Sequence, residues 1–173
     1  AAGLRMNQHA IPLRPQQLKA DFAGHRAGRP VLVFDTVSST NDIAAEYAGD
    51  PENDGLVVLA EKQTAGRGRM GASWQGGSGQ SILLSLLLTR CRCGGELLSL
   101  AGAVAVAEAI GRCGKNHAKI RWPNDIVIRQ AKVAGILLES KPAETHRPAA
   151  FILGLGINCH QEACFFEGEL KGR

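Results

Sequence analysis

The sequence predicts an α+β domain, with a mixed, mostly antiparallel sheet and helices packed on one side of it. Two observations carry that expectation. Seven short apolar runs, several of them β-branched or aromatic, are distributed along the chain with the look of strands. The connections among Lys119–Trp122, Asp125–Ile128 and Val133–Glu139 are too brief to hold helices, so hairpins are implied. A chain of 173 residues, 45% hydrophobic and 21% charged, is enough for one domain with a sizeable core.

The elements follow in order. Residues 1–30 are polar and punctuated by Pro12, Pro15 and Pro30, with one weak amphipathic run around Leu18–Phe22, and read as a leader rather than a domain. Val31–Phe34 is a compact buried strand. Ser38-Ser39-Thr40-Asn41-Asp42 is a cluster of N-cap residues in front of Ile43–Tyr47, and Gly49 stands where a helix would stop. Leu56–Ala60 is a second strand, and Gln63–Gly79, rich in Gly, Arg and Ser without a hydrophobic period, is a long loop. Ser81–Leu88 is a third strand. Leu97–Ile110, rich in Ala and Leu, is a helix whose small residues allow close packing on a sheet. Phe151–Ile157 is the last strand, and the domain spans 31–173.

Composition bounds the function classes. The formal charge of +4 favours acidic partners, yet several basic residues fall inside the glycine-rich loop, where a phosphate-bearing small molecule explains them as well as nucleic acid does. The cysteines number five, an odd count, and none has C-x2-C spacing, so free thiols in a reducing compartment are expected. The longest apolar stretch, Leu97–Ile110, is interrupted by Ser99 and Glu108 and is too short to cross a bilayer. The start of the chain lacks a signal-peptide core, so a cytoplasmic protein without membrane contact is expected.

Three clusters carry chemistry. In Gln63-Thr64-Ala65-Gly66-Arg67-Gly68-Arg69-Met70-Gly71-Ala72-Ser73-Trp74 the glycines let backbone N–H groups approach a ligand, and Arg67 and Arg69 add forked, permanently charged donors. Gly66, Gly68 and Gly71 also satisfy the dinucleotide pattern G-x-G-x-x-G, but no helix begins after it and no βαβ unit surrounds it, so that reading fails. A plain surface loop would leave the two arginines and Trp74 without a purpose. The second cluster is Trp122-Pro123-Asn124-Asp125 with Lys132-Val133-Ala134-Gly135: Asn124 and Asp125 can hold a ribose or a metal, and Lys132 opens a strand beside a glycine. A turn and a solvated strand end are the bland alternative. The third is Gly154-Leu155-Gly156-Ile157-Asn158, where glycines permit close approach and Asn158 can donate and accept.

In this order and spacing, Ser-Ser-Thr-Asn (38–41), Gln-Thr-Ala-Gly-Arg-Gly-Arg (63–69), Trp-Pro-Asn-Asp (122–125), Lys-Val-Ala-Gly-Ile-Leu (132–137) and Gly-Leu-Gly-Ile-Asn (154–158) resemble the biotin–protein ligases. The resemblance covers residues of about 31 to 160. It implies the biotin/lipoate ligase fold, which is like that of class II aminoacyl-tRNA synthetases, and an enzyme that makes biotinyl-5'-AMP from biotin and ATP before passing biotin to a lysine of a biotin carboxyl carrier protein. By the same resemblance Ser39, Thr40, Asn41 and Gln63 would contact the ureido head of biotin, and Gly66 and Arg67 would close over it. Lys132, with Gly135 beside it, would meet both the biotin carboxylate and the α-phosphate. Arg69 would bind the triphosphate, Trp74 would pack on adenine, and Asn124, Asp125 and Asn158 would hold the nucleotide, with Mg2+ on Asp125. Lys132 and Arg69 are the expected catalytic pair.

The sequence departs from that family at both ends. The thirty residues before Val31 are too few for a winged-helix DNA-binding domain, so a ligase that does not bind DNA is expected. Residues 161–173 do not resemble the usual continuation into a small C-terminal β domain, so its absence is expected, and sheet surface left open would suit a homodimer. Two rivals stand beside the ligase: a lipoate or octanoate ligase, for which the polar set at Ser39, Thr40, Asn41 and Gln63 would be wasted, and a protein that binds biotin or biotinyl-adenylate without transfer.

Overall fold

The computed structural model describes residues 30–113, 117–142 and 149–160, with scattered positions between 13 and 28. The elements run β1 (Val31–Val37), α1 (Thr40–Glu46), β2 (Val57–Gln63), β3 (Ser81–Leu88), α2 (Gly95–Cys113), β4 (Lys119–Arg121), β5 (Asp125–Ile128), β6 (Ala131–Lys141) and β7 (Ala150–Asn158). They form one sheet in the order β1-β2-β3-β7-β6-β5-β4. The expected hairpins β4–β5 and β5–β6 are present, and every pair is antiparallel except β1 and β2. That pair is parallel because α1 carries the chain across the sheet and returns it to run in the same direction.

The helices do not lie on one side. On β7, Ile152 belongs to a core with Val58, Leu87 and Ala44 of α1, while the next residue, Leu153, belongs to a core with Ile136 and with Ala103 and Val106 of α2. Successive strand residues point to opposite faces, so α1 and α2 cover opposite faces of the sheet. The run Ser-Ile-Leu-Leu-Ser-Leu-Leu-Leu of β3 shows why. It does not alternate, both of its faces are apolar, and both need cover. Of the leader, Leu13, Leu18, Phe22 and Ala27 pack against Val31, Val57 and Leu59 on the α2 face; residues 1–12, several scattered positions up to 29, and the segment 161–173 with Cys164 lie outside the described residues.

Among the described residues four cysteines are free, with the sulfurs of Cys91 and Cys93 3.1 Å apart. Among them, too, no helix is long and apolar enough to cross a membrane.

Candidate active site

The site lies on the α1 face, where β6 and β7 run side by side. Strand register sets Gly135 opposite Gly156 and Gly154 opposite Leu137, and these residues form the floor of a cleft that opens to solvent. The missing side chains are what make the cleft. A Cβ on Gly156 would fall 2.6 Å from Cζ2 of Trp74, and one on Gly135 would fall 3.0 Å from Cζ3 of the same ring. The indole of Trp74 therefore rests on a glycine bed.

One wall is polar. Ser39 caps α1 by accepting from the backbone N–H of Asn41, which leaves Thr40 and Asn41 buried at the first turn, facing β3 and β7. Gln63, at the end of β2, accepts through Oε1 from the backbone N–H of Thr40 at 2.7 Å and from its hydroxyl at 3.0 Å, which turns the amide's donor end away from α1. Ser85 completes the set. Its Oγ lies 2.7 Å from Thr40 Oγ1 and 2.5 Å from Asn41 Oδ1, and the residue is fully buried. A hydroxyl has one proton to give, and an amide oxygen has none, so the Ser85 proton goes to Asn41 and the Thr40 proton to Ser85 or Gln63. The other end of Asn41 donates through Nδ2 to Glu139 at 2.7 Å.

The glycine–arginine loop is more ordered than its lack of hydrophobic period suggests. Its start is tied to the end of β1 by Thr64 N–H to Val37 O and Ala65 N–H to Ser38 O, each 2.9 Å. Trp74 N–H donates to Gly66 O at 2.9 Å, Arg67 bridges to Ser73, and Gly68 N–H donates to Ala72 O at 2.6 Å, so residues 66–74 form a narrow ribbon. Met70 sits at its tip with φ 55° and a side chain 99% exposed. Arg67 is turned to Asp42, at 2.6 and 3.1 Å, and to Glu139, at 3.3 Å. The Asp42 hydrogen bonds, then those of Glu139, raise the Arg67 pKa, and the guanidinium in turn holds Asp42 below the usual carboxylate range.

The two expected catalytic cations converge. Arg69 Nη1 donates to Asn124 Oδ1 at 3.0 Å, and Asn124 is fixed to β6 through Nδ2 to Ile136 O at 2.8 Å. The neighbouring Asp125 pairs with Lys132 Nζ at 2.7 Å and with Arg121 at 3.1 Å. Lys132 also lies 5.6 Å from the centroid of the Trp74 ring. Of the residues singled out from sequence, Ser39, Thr40, Asn41, Gln63, Arg67, Trp74, Asn124, Lys132 and Gly135 line the cleft. Arg69 and Asp125 adjoin it through Asn124 and Lys132, and Gly66 through Trp74. Asn158 lies two residues beyond Gly156 on the same face of β7, with its Oδ1 buried and without a partner among the described residues. Sequence reasoning missed Ser85, Asp42 and Glu139. Ser85 had a signal, a hydroxyl set between leucines in the middle of an apolar strand; Glu139 had none beyond its place at the end of an apolar run.

Comparison with known proteins decides the family. The sequence model described as the Biotin/lipoate A/B protein ligase family matches residues 33–158, which contain every one of these side chains. The chain belongs to that family. Members similar to it include the bifunctional ligase/repressor BirA of Bacillus subtilis, 36% identical over 98% of this chain and 52% of that protein. The biotin–[acetyl-CoA-carboxylase] ligase of Mycobacterium tuberculosis is 34% identical over 87% of this chain and 57% of its own length. Biotin protein ligase from Aquifex aeolicus, solved in complex with biotin and ATP, superposes with a TM-score of 0.66 at 26% identity, over 83% of this chain and 56% of that one. The expected ligase fold is thus the fold observed, and the chain spans about half the length of the curated family members it matches.

Proposed function

We propose that this chain is the catalytic domain of an ATP-dependent biotin–protein ligase. In the first step a biotin carboxylate oxygen attacks the α-phosphorus of ATP, forming biotinyl-5'-AMP and expelling pyrophosphate. In the second a lysine amine of a biotin carboxyl carrier protein attacks the acyl carbon, gives up a proton, and AMP leaves. The observation that carries the reading is the meeting of Arg69 and Lys132, from a loop and a strand far apart in sequence, on the adjacent residues Asn124 and Asp125 at a cleft whose other wall is a fixed polar set.

The chemistry fits that layout. A carboxylate and a phosphate repel, so bringing them together requires cations positioned beforehand, and Lys132 and Arg69 supply two. Thr40, Asn41 and Gln63, with amide ends oriented by protein hydrogen bonds, suit a small cyclic urea that both donates and accepts. Trp74 Nε1 and Asn158 Oδ1 are a donor and an acceptor, both buried and without partners among the described residues. Such groups cost about 1–3 kcal/mol each when unpaired, and the edge of a nucleotide base can satisfy both kinds. The ligase names and the ATP and biotin complex among the similar proteins support the same assignment.

Magnesium is less well served. Asp125 meets Lys132 through Oδ1 and Arg121 through Oδ2, and the described residues contain no group of three carboxylate, histidine or cysteine side chains able to hold a metal. Asp125 as it stands does not fit the expected Mg2+ site, and no step is assigned to the ion through it.

Incubation with biotin, α-labelled ATP and a biotin carrier domain tests the proposal. Pyrophosphate release with labelled biotinyl-AMP and biotin on the carrier is the expected result. Adenylate without carrier labelling would leave the half-reaction or binding protein considered above; activity with lipoate or octanoate in place of biotin would move the assignment to the rival ligase.

A further inference from the structure

We infer that Glu139 is a positioning residue that locks the polar wall of the cleft to the anchor of the glycine–arginine loop; the inference rests on the ligase reading above. Glu139 lies on β6 two and four residues beyond Leu137 and Gly135, so its carboxylate projects on the cleft face. Oε2 accepts from Asn41 Nδ2 at 2.7 Å, and the two oxygens accept from Arg67 Nε and Nη2, each at 3.3 Å. One carboxylate thereby orients two groups from different elements.

Asn41 depends on that charge for its orientation. The two ends of an amide have nearly the same shape, and only the partners decide which is which. With Ser85 donating to Oδ1 and Glu139 accepting from Nδ2, a flipped amide would set an oxygen against a carboxylate and is excluded. Arg67 depends on it differently. Its guanidinium is held between Asp42, next to Asn41 on α1, and Glu139 on β6, and Arg67 stands two residues before Arg69. The Arg67 clamp fixes the point from which Arg69 reaches Asn124. A pocket that must keep an activated acyl phosphate from water needs its head-group wall and its covering loop to move together, and Glu139 is the joint between them.

Two substitutions separate these effects. Glu139→Gln keeps an acceptor for Asn41 but removes the charge that holds Arg67; it is expected to leave the biotin KM within about 3-fold of wild type while biotinyl-adenylate escapes to solution about 10-fold faster. Glu139→Ala removes both and is expected to raise the biotin KM by about 10-fold as well. Asp42→Asn, the other half of the clamp, should copy Glu139→Gln in adenylate escape and leave KM alone. Each variant is first shown to unfold in urea with the wild-type slope, and adenylate escape is read by quench-flow after filtration. The inference is overturned if both Glu139 variants match wild type in KM and escape, or if the two quantities change in the same proportion in every variant, as loss of folded protein alone would produce. Wild-type protein that forms no adenylate in this assay removes the ligase reading, and the Glu139 role with it.

Discussion

Replacing Ser85 by alanine tests the proton arrangement behind the cleft's polar wall. Ser85 is 0% exposed and, among the described residues, supplies the hydrogen that reaches Asn41 Oδ1, because the neighbouring Thr40 proton goes to Ser85 or Gln63. The substitution removes one oxygen atom, too small a change to open a cavity, and leaves Asn41 Oδ1 buried without a donor. An acceptor stranded in this way costs about 1–3 kcal/mol, so a loss of about 2 kcal/mol is expected. For a chain of this size that is a fall in Tm of about 4–8 °C. Freed on that side, the Asn41 amide presents its ends less uniformly to the cleft, and biotin affinity should fall about 10-fold, equivalent to about 1.4 kcal/mol. Urea unfolding followed by circular dichroism gives the first quantity and titration calorimetry with biotin the second. A stability change under about 0.5 kcal/mol together with unaltered biotin affinity would refute the proton assignment.

Lys132→Ala and Arg69→Ala should each lower the rate of adenylate formation by about 10² or more, measured by pyrophosphate release at saturating biotin and ATP; a rate within a few-fold of wild type would remove those residues from catalysis. Gly156→Ala puts a methyl group 2.6 Å from Cζ2 of Trp74, so the ring must leave its bed: the ATP KM should rise about 10-fold while the biotin KM changes little, and an unshifted Trp fluorescence spectrum would show that the ring had not moved. The pKa of Asp42 is lowered by Arg67, so the clamp's contribution is complete above the ordinary aspartate value of about 3.9 and is lost only as pH falls through the lower folded value. The stability difference between wild type and Asp42→Asn, read by urea unfolding at each pH, should therefore be the same at pH 7 and pH 5 and shrink only in stronger acid; a difference already smaller at pH 5 would contradict the assignment.

The sheet was legible because its strands are short, apolar and separated by recognisable turns: all seven appear, β3 and β5 with the boundaries read from sequence and the others longer or shorter by a few residues. The side on which α2 packs was not legible, since a leucine run with no alternation says that both faces are buried without saying which helix covers which. The structure brings the motif residues to or beside one cleft, where three clusters of Gly, Arg, Lys and Asn in one chain were expected to meet. What the motifs hid was their pairing. Arg67 looks in sequence like a second anion ligand beside Arg69, and only the fold shows that α1 and β6 deliver Asp42 and Glu139 to it.

That pairing changes the electrostatics of the proposed reaction. Of the three cations that the motifs bring to the cleft, Arg67 is matched by two carboxylates and Lys132 by one, whereas Arg69 meets only the neutral amide of Asn124 among the described residues. Arg69 is thus the cation whose charge is unspent before any ligand arrives, as suits a group that draws in a polyphosphate. Lys132 must trade Asp125 for a ligand oxygen. The exchange is made easier by Arg121, which remains within 3.1 Å of the other Asp125 oxygen, so the carboxylate is not stranded when the ammonium turns away. A lysine held in this way stays paired with Asp125 at the cleft wall until a stronger anion competes for it, and in the proposed reaction the strongest negative charge forms where the carboxylate and the α-phosphate meet.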